Sequence, residues 1–268
     1  MSEAAVTSTG DRATNSWRLL WHQVRYEQMA FWLNRVGAIF TIGFSVLFLV
    51  MLGLSAGDSR ISYLGNIRLI QYYVPGFVAY GVMSACFTTL ATTMVVRRET
   101  GLLKRLRLSP LPTRVLLGSV LCSTAIISLL QVALLLLIGR FGYAVSFPVN
   151  WVAFVLVLIV AMASFSAMGV AMSCVIPNQE TAGPITSVVF FVLLFLSGLW
   201  FPLPANSALA RISGVFPVRH FIQAASAPFE LQRGASPWAW RDLLVIALWG
   251  AVSIVIALRR FQWSPRRR

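Results

Sequence analysis

The chain has 268 residues, 58% of them hydrophobic and only 11% charged, with a mean hydropathy of +0.77. Soluble domains carry about 45–50% apolar and about 25% charged residues, so a water-soluble fold of this length would lack the polar surface to cover itself. The formal charge of +14 does not point to nucleic acid, because the arginines sit between apolar runs and at the tail rather than on one soluble face.

Residues 1–15 are polar and lack the charged start and apolar core of a signal peptide, so a flexible cytoplasmic N-terminus is expected. Over 16–35 charges recur, which excludes a span. Trp17, Leu20, Trp21, Val24, Gln28, Phe31 and Trp32 fall mostly three and four apart, with Arg18, Arg25 and Glu27 largely off that stripe. A tryptophan-rich face beside arginines suits an amphipathic helix in the headgroup layer, and Ser16 is its expected N-cap.

Apolar runs near the ~20 residues needed to cross a bilayer predict spans over 36–54, 73–96, 115–138, 150–176, 184–200 and 242–258. Between them lie a loop at 60–71, a basic segment at 97–114, a GRFGY stop at 139–143, a short PNQET turn at 177–181 and a long connection at 201–241. A basic tail, 259–268, follows. Cys86, Cys122 and Cys174 lie in apolar segments without CxxC spacing and read as small buried hydrophobes.

With the N-terminus inside, the inner segments hold 15 of the 22 Lys and Arg, and the outer loops hold Arg60, Arg68, Arg140, Arg211, Arg219, Arg233 and Arg241. That bias favours N-in and C-in. The expected fold class is an all-α polytopic membrane protein: six transmembrane helices (36–258) after an interfacial helix, with an extracellular or re-entrant segment between spans five and six.

The interiors of these expected spans contain no Asp, Glu, Lys, Arg or His. Ion-coupled carriers usually bind their coupling ion on such a residue, which counts against a secondary transporter, although a carrier or channel without an ATPase stays as the alternative. His22 and His220 fall on opposite sides of the membrane and cannot share a metal or a proton. Glu180 and Asp242 sit at span ends. No nucleophile–base–orienter set is visible, so no catalytic or metal-ligating residue is assigned and an enzyme is not expected. A P-loop needs a lysine before Ser or Thr; the only lysine, Lys104, precedes Arg105. ATP-driven transport would require a separate ATPase on the cytoplasmic face.

The place for such a partner is residues 97–114, which hold six basic residues. The spacing predicts a helix over 98–108 with Leu102, Leu103 and Leu106 on one face and Lys104, Arg105 and Arg107 fanning from it. Gly101 is expected to allow close backbone approach, and Ser109-Pro110 to end the helix. On residue physics alone, a basic loop that only fixes topology competes with a docking helix.

The run Glu99-Thr100-Gly101-Leu102-Leu103-Lys104-Arg105-Leu106-Arg107-Leu108-Ser109-Pro110 closely resembles the coupling-helix region of type-2 ABC exporter permeases. Ser197-Gly198-Leu199-Trp200-Phe201-Pro202-Leu203-Pro204, followed by Phe216-Pro217, is similar to that family's proline-marked stretch after span five. The 177–182 turn is a third likeness. The closest look is to daunorubicin-resistance-type drug and lipid exporters. Pro204 departs from the pattern, coming only two residues after Pro202.

The resemblance implies a bacterial inner-membrane permease working as a dimer, with a second copy or a sister chain, over two ATPase subunits that bind ATP and Mg, while this chain binds no cofactor. It implies an amphipathic drug, lipid or polyketide-like cargo, with membrane lipids as the other partner. It assigns ATPase coupling to Glu99, Gly101, Leu102, Leu103, Arg105, Leu106, Ser109 and Pro110, and an outer gate to Gly198, Pro202, Pro204 and Pro217.

Overall fold

The computed structural model describes residues 8–56, 59–61, 67–102, 113–200, 208–229 and 236–260, with side chains left out at 8–16, 56, 113–114 and 208–210. Among the described residues six helices are long and apolar enough to cross a membrane: Arg35–Ser55, Leu69–Glu99, Val115–Tyr143, Trp151–Val175, Gln179–Ser197 and Trp240–Arg260. The chain is an all-α polytopic membrane protein. Alternation of six spans leaves the leading helix, the 97–114 segment and the end of span six on one side, the basic face.

Several boundaries differ from the hydropathy reading for local reasons. Asn150 and Asn178 stand just outside spans four and five, and each side chain accepts from the amide three residues on, Ala153 at 2.9 Å and Thr181 at 3.0 Å. Span five therefore starts ahead of Pro184, which stands inside the helix and removes the amide that would have bonded the Glu180 carbonyl. It stops at Gly198, whose φ of +83° is the left-handed conformation that ends helices. Span three runs through the GRFGY sequence to Tyr143, whose hydroxyl donates to the Val50 carbonyl of span one at 2.9 Å and holds the extra turn.

Span two is the axis of the bundle. Its most apolar window is 83% buried, against 22–56% for the others, so its neighbours shield it from lipid. The core gathers around it, with Phe77, Phe154, Phe165 and Phe221 fully buried. Spans one and two each contain a π-type turn, Ile39–Gly43 and Ser84–Thr89. Such turns disturb the normal carbonyl pairing. The buried Gln131 of span three answers the first by donating to the Thr41 carbonyl at 2.9 Å and to Ser45 Oγ at 2.7 Å. At the second, Gly169 of span four presses on the backbone: a Cβ there would lie 2.7 Å from the Cys86 carbonyl oxygen.

The leading helix begins at Ser8, so residues 8–15 are helical and Ser16, expected as its cap, lies about two turns inside it. The predicted stripe divides. Leu20, Val24, Gln28 and Phe31 turn toward the protein, where Gln28 Nε2 donates to the Ser123 carbonyl of span three at 2.9 Å. Trp17, Trp21 and Trp32 face outward, 69%, 62% and 47% exposed.

Away from the basic face, a short ladder pairs Arg60 with Arg68 and Ile61 with Ile67. Between spans five and six the chain forms two short helices, Ala208–Ser213 and Pro217–Ser226. They make a hairpin that dips into the bundle. At its tip, Trp249 of span six donates to the Val215 carbonyl at 2.9 Å, about 14 Å along that span from Trp240 at 1.5 Å per residue. On the way back, Phe221 meets Phe165 of span four at 5.4 Å between ring centres. The Val149 amide then donates to the Pro228 carbonyl at 2.8 Å near the head of span four.

Candidate functional site

The functional reading rests on the basic end of span two, where two consecutive arginines point to different neighbours. Successive helical residues are turned by about 100°. Arg97 therefore reaches the leading helix while Arg98 reaches the end of span four and the turn into span five. Arg97 donates from both terminal nitrogens to the two carboxylate oxygens of Glu27, a bidentate pair whose side chains are 14% and 8% exposed. Glu27 thus lies on the protein-facing side of the leading helix, not off its packed stripe.

Arg98 is 3% exposed. Its guanidinium donates to the carbonyls of Ser173 at 2.9 Å, Ile176 at 2.9 Å and Pro177 at 3.1 Å, while Nε donates to Glu99 Oε1 at 3.0 Å. Those carbonyls close span four, which ends in Pro177 without a glycine cap, and a cation suits that end of a helix dipole. Beside it Val95, Ile176 and Ala182 form a small buried apolar cluster joining spans two, four and five. A charged side chain therefore does enter the folded interior, which the expected span limits did not anticipate.

Span two ends at Glu99; Thr100 turns and Gly101 follows at φ +70°. A Cβ on Gly101 would meet nothing within 4 Å. Its glycine serves the left-handed turn, not a close backbone contact within this chain. Arg98 and Glu99 thus belong to span two, and the expected helix over 98–108 cannot run unbroken through Gly101. Leu102 is 41% exposed beyond the turn. Leu103, Arg105, Leu106, Ser109 and Pro110 lie outside the described residues.

Toward the opposite face Gly198 ends span five and Pro217 lies within the hairpin, while Pro202 and Pro204 lie outside the described residues. The Gly198 carbonyl accepts from Tyr72 at 2.8 Å, and Leu199 is fully buried. Pro217 opens the second hairpin helix, its missing N–H falling where no helical partner exists. His220, expected in a loop or at the interface, is instead 7% exposed. Its Nδ1 lies 2.6 Å from Asp242 Oδ1 of span six and its Nε2 2.8 Å from the Gly214 carbonyl. Both ring nitrogens face oxygen atoms, so the imidazole is held from two sides. Among the described residues no group of three or more His, Cys, Asp or Glu is placed to hold a metal ion.

Sequence reasoning had marked Glu99 and Gly101 but missed Arg98, Glu27 with Arg97, Gln131, and His220 with Asp242. A carboxylate on the packed wheel positions of the leading helix was an available signal for Glu27, and a lone amide in an apolar span for Gln131.

Six apolar spans, a leading helix tied to span three and a basic turn after span two are the features of a polytopic membrane protein and fit a membrane permease. Residues 18–229 match the profile of the family described as ABC-2 type transporter, and the chain belongs to that family. It is also similar to "Putative transport permease YvfS" of Bacillus subtilis (strain 168), 27% identical over 177 residues that cover 65% of this chain and 70% of that protein. Membership makes the chain a multi-pass integral membrane protein, in bacteria of the inner membrane, and a transport subunit. The family implies an ATPase partner and a dimeric arrangement in general.

Proposed function

We propose that this chain is the membrane subunit of an ATP-driven exporter, with two permease chains over two copies of a separate ATPase that binds ATP and Mg. The observation that carries this reading is the end of span two. Arg97 and Arg98 fix it to three other elements, and a free left-handed turn at Gly101 hands the chain to the basic segment. Docking of 102–110 in the ATPase, with Leu102, Leu103 and Leu106 packed in its groove and Arg105 at an acidic rim, would turn ATP-driven closure into motion of the spans. Gly198, Pro202, Pro204 and Pro217 would form the outer gate. The described span interiors offer little charge, which suits an amphipathic, drug-like or lipid-like cargo moved outward.

Co-purification with a P-loop ATPase, and loss of coupled ATP turnover in Leu103→Asp and Gly101→Trp with insertion intact, test the assignment. Normal coupled turnover in both variants refutes the docking site. The half-buried His220–Asp242 pair is the observation that favours a proton-coupled carrier instead. That reading requires proton-driven uptake or efflux in vesicles containing no ATPase.

A further inference from the structure

Arg98 is a deeply buried charge that spends four N–H donors on one task. Three go to backbone carbonyls of Ser173, Ile176 and Pro177, and the fourth to the carboxylate of its neighbour Glu99. The planar fork of arginine can hold several oxygens at fixed angles, whereas the point charge of lysine cannot reproduce that geometry. The grip joins the last turn of span two to the end of span four and the start of the turn into span five. One residue further, Asn178 caps span five by accepting from Thr181 N at 3.0 Å and Thr181 Oγ1 at 2.9 Å. The Val95–Ile176–Ala182 cluster fills the space between the three spans.

Resting on the proposed docking of 102–110, we propose that Arg98 is the positioning residue that carries displacement of the coupling segment into spans four and five. The Glu27–Arg97 pair links the same end to the leading helix through two side chains. Arg98 grips backbone, so the end of span two and the span four–five turn move as one body. Glu99 orients the guanidinium through Nε and acts only through it.

The test uses distances between spin labels at Thr100 and Glu180, both exposed, in the full chain in lipid nanodiscs. Exposed Cys122 is replaced by Ser, and buried Cys86 and Cys174 are kept. A second pair, Thr93 and Glu180, repeats the measurement with no label inside 97–114. The chain alone should give a single narrow distribution that broadens into several populations in Arg98→Gln and less so in Arg98→Lys. In the ATPase complex, ATP and Mg should leave the native distribution unchanged. Permease-dependent ATP turnover should fall about 10-fold or more in Arg98→Gln, as expected for loss of a charge-assisted set of hydrogen bonds. Three results overturn the proposal: a width untouched by Arg98→Gln, an ATP-induced shift of the native distance, or full turnover in the variant. Failure of any ATPase to co-purify refutes the docking reading and the transmission with it, while the widths in the chain alone still judge the clamp.

Discussion

Replacing Glu27 by Met keeps a helix-compatible side chain of similar length and removes the counter-ion of Arg97. The pair is 8% and 14% exposed and bidentate, so little water is at hand to take over. An orphaned buried charge costs about 3–5 kcal/mol. Allowing for the part of Arg97 that solvent reaches, about 2–3 kcal/mol is expected, roughly 30- to 160-fold in the folded ratio. Arg97→Met should cost a similar amount, because it strands the carboxylate. The double variant leaves no charge unpaired and should lose less than about 1 kcal/mol. Thermal unfolding of the detergent-solubilised chain, followed through its nine tryptophans, should show midpoints about 4–12 °C lower for the singles and near the native value for the double. Single effects that add within about 0.5 kcal/mol would mean the groups do not interact. Singles with unchanged midpoints would make the pair an ordinary screened surface contact.

Gly101→Val should uncouple ATP turnover while Gly101→Asn retains it, because a β-branched residue in the left-handed region is strained and asparagine is tolerated there; equal loss in both would mean bulk matters and the backbone does not. Gly169→Val would place its Cβ 2.7 Å and 2.9 Å from the carbonyl oxygens of Cys86 and Phe87, which as backbone cannot swing aside. Overpacking of about 1–3 kcal/mol or more should open the contact between spans two and four. Labelling of the buried Cys86 by a membrane-permeant maleimide, localised by mass spectrometry, should rise, and continued protection would refute the contact. Asp242→Asn removes the charged acceptor of His220. Amide exchange over 214–222 should quicken about 10- to 150-fold, the equivalent of one charged hydrogen bond, and unchanged exchange would show that the pair does not hold the hairpin.

The six spans were readable because each apolar run is long and its flanks are marked by arginine, asparagine or proline. What escaped depended on partners that leave no mark in the chain. Arg98 binds backbone carbonyls, which every residue has, so no spacing announces the clamp. Glu27 looked like part of a solvated face because the stripe was drawn through the tryptophans; the helix has two apolar sides, and the carboxylate belongs to the one against the protein. Gly101 was read as allowing a close backbone approach, whereas within this chain it serves a left-handed turn, and its sequence neighbours do not reveal the sign of φ. His220 and Asp242 came together only through the hairpin, whose depth no hydropathy window registers. The π-type turns at Ile39–Gly43 and Ser84–Thr89 have no composition signal either, although Gln131, a lone amide in an apolar span, was a visible hint that some backbone group needed an answer.

The hairpin between spans five and six also sets an order of events during synthesis. Its second helix, Pro217–Ser226, is too short to cross a bilayer. Two of the bonds that hold it inside come from Asp242 and Trp249, both made after it and both on the last span. When residues 208–229 reach the membrane, span six has not yet taken its place beside them. The bonds to Asp242 and Trp249 form only once span six stands beside the hairpin. A chain stopped before residue 240 would lack both bonds, so the seating of the hairpin depends on the final helix.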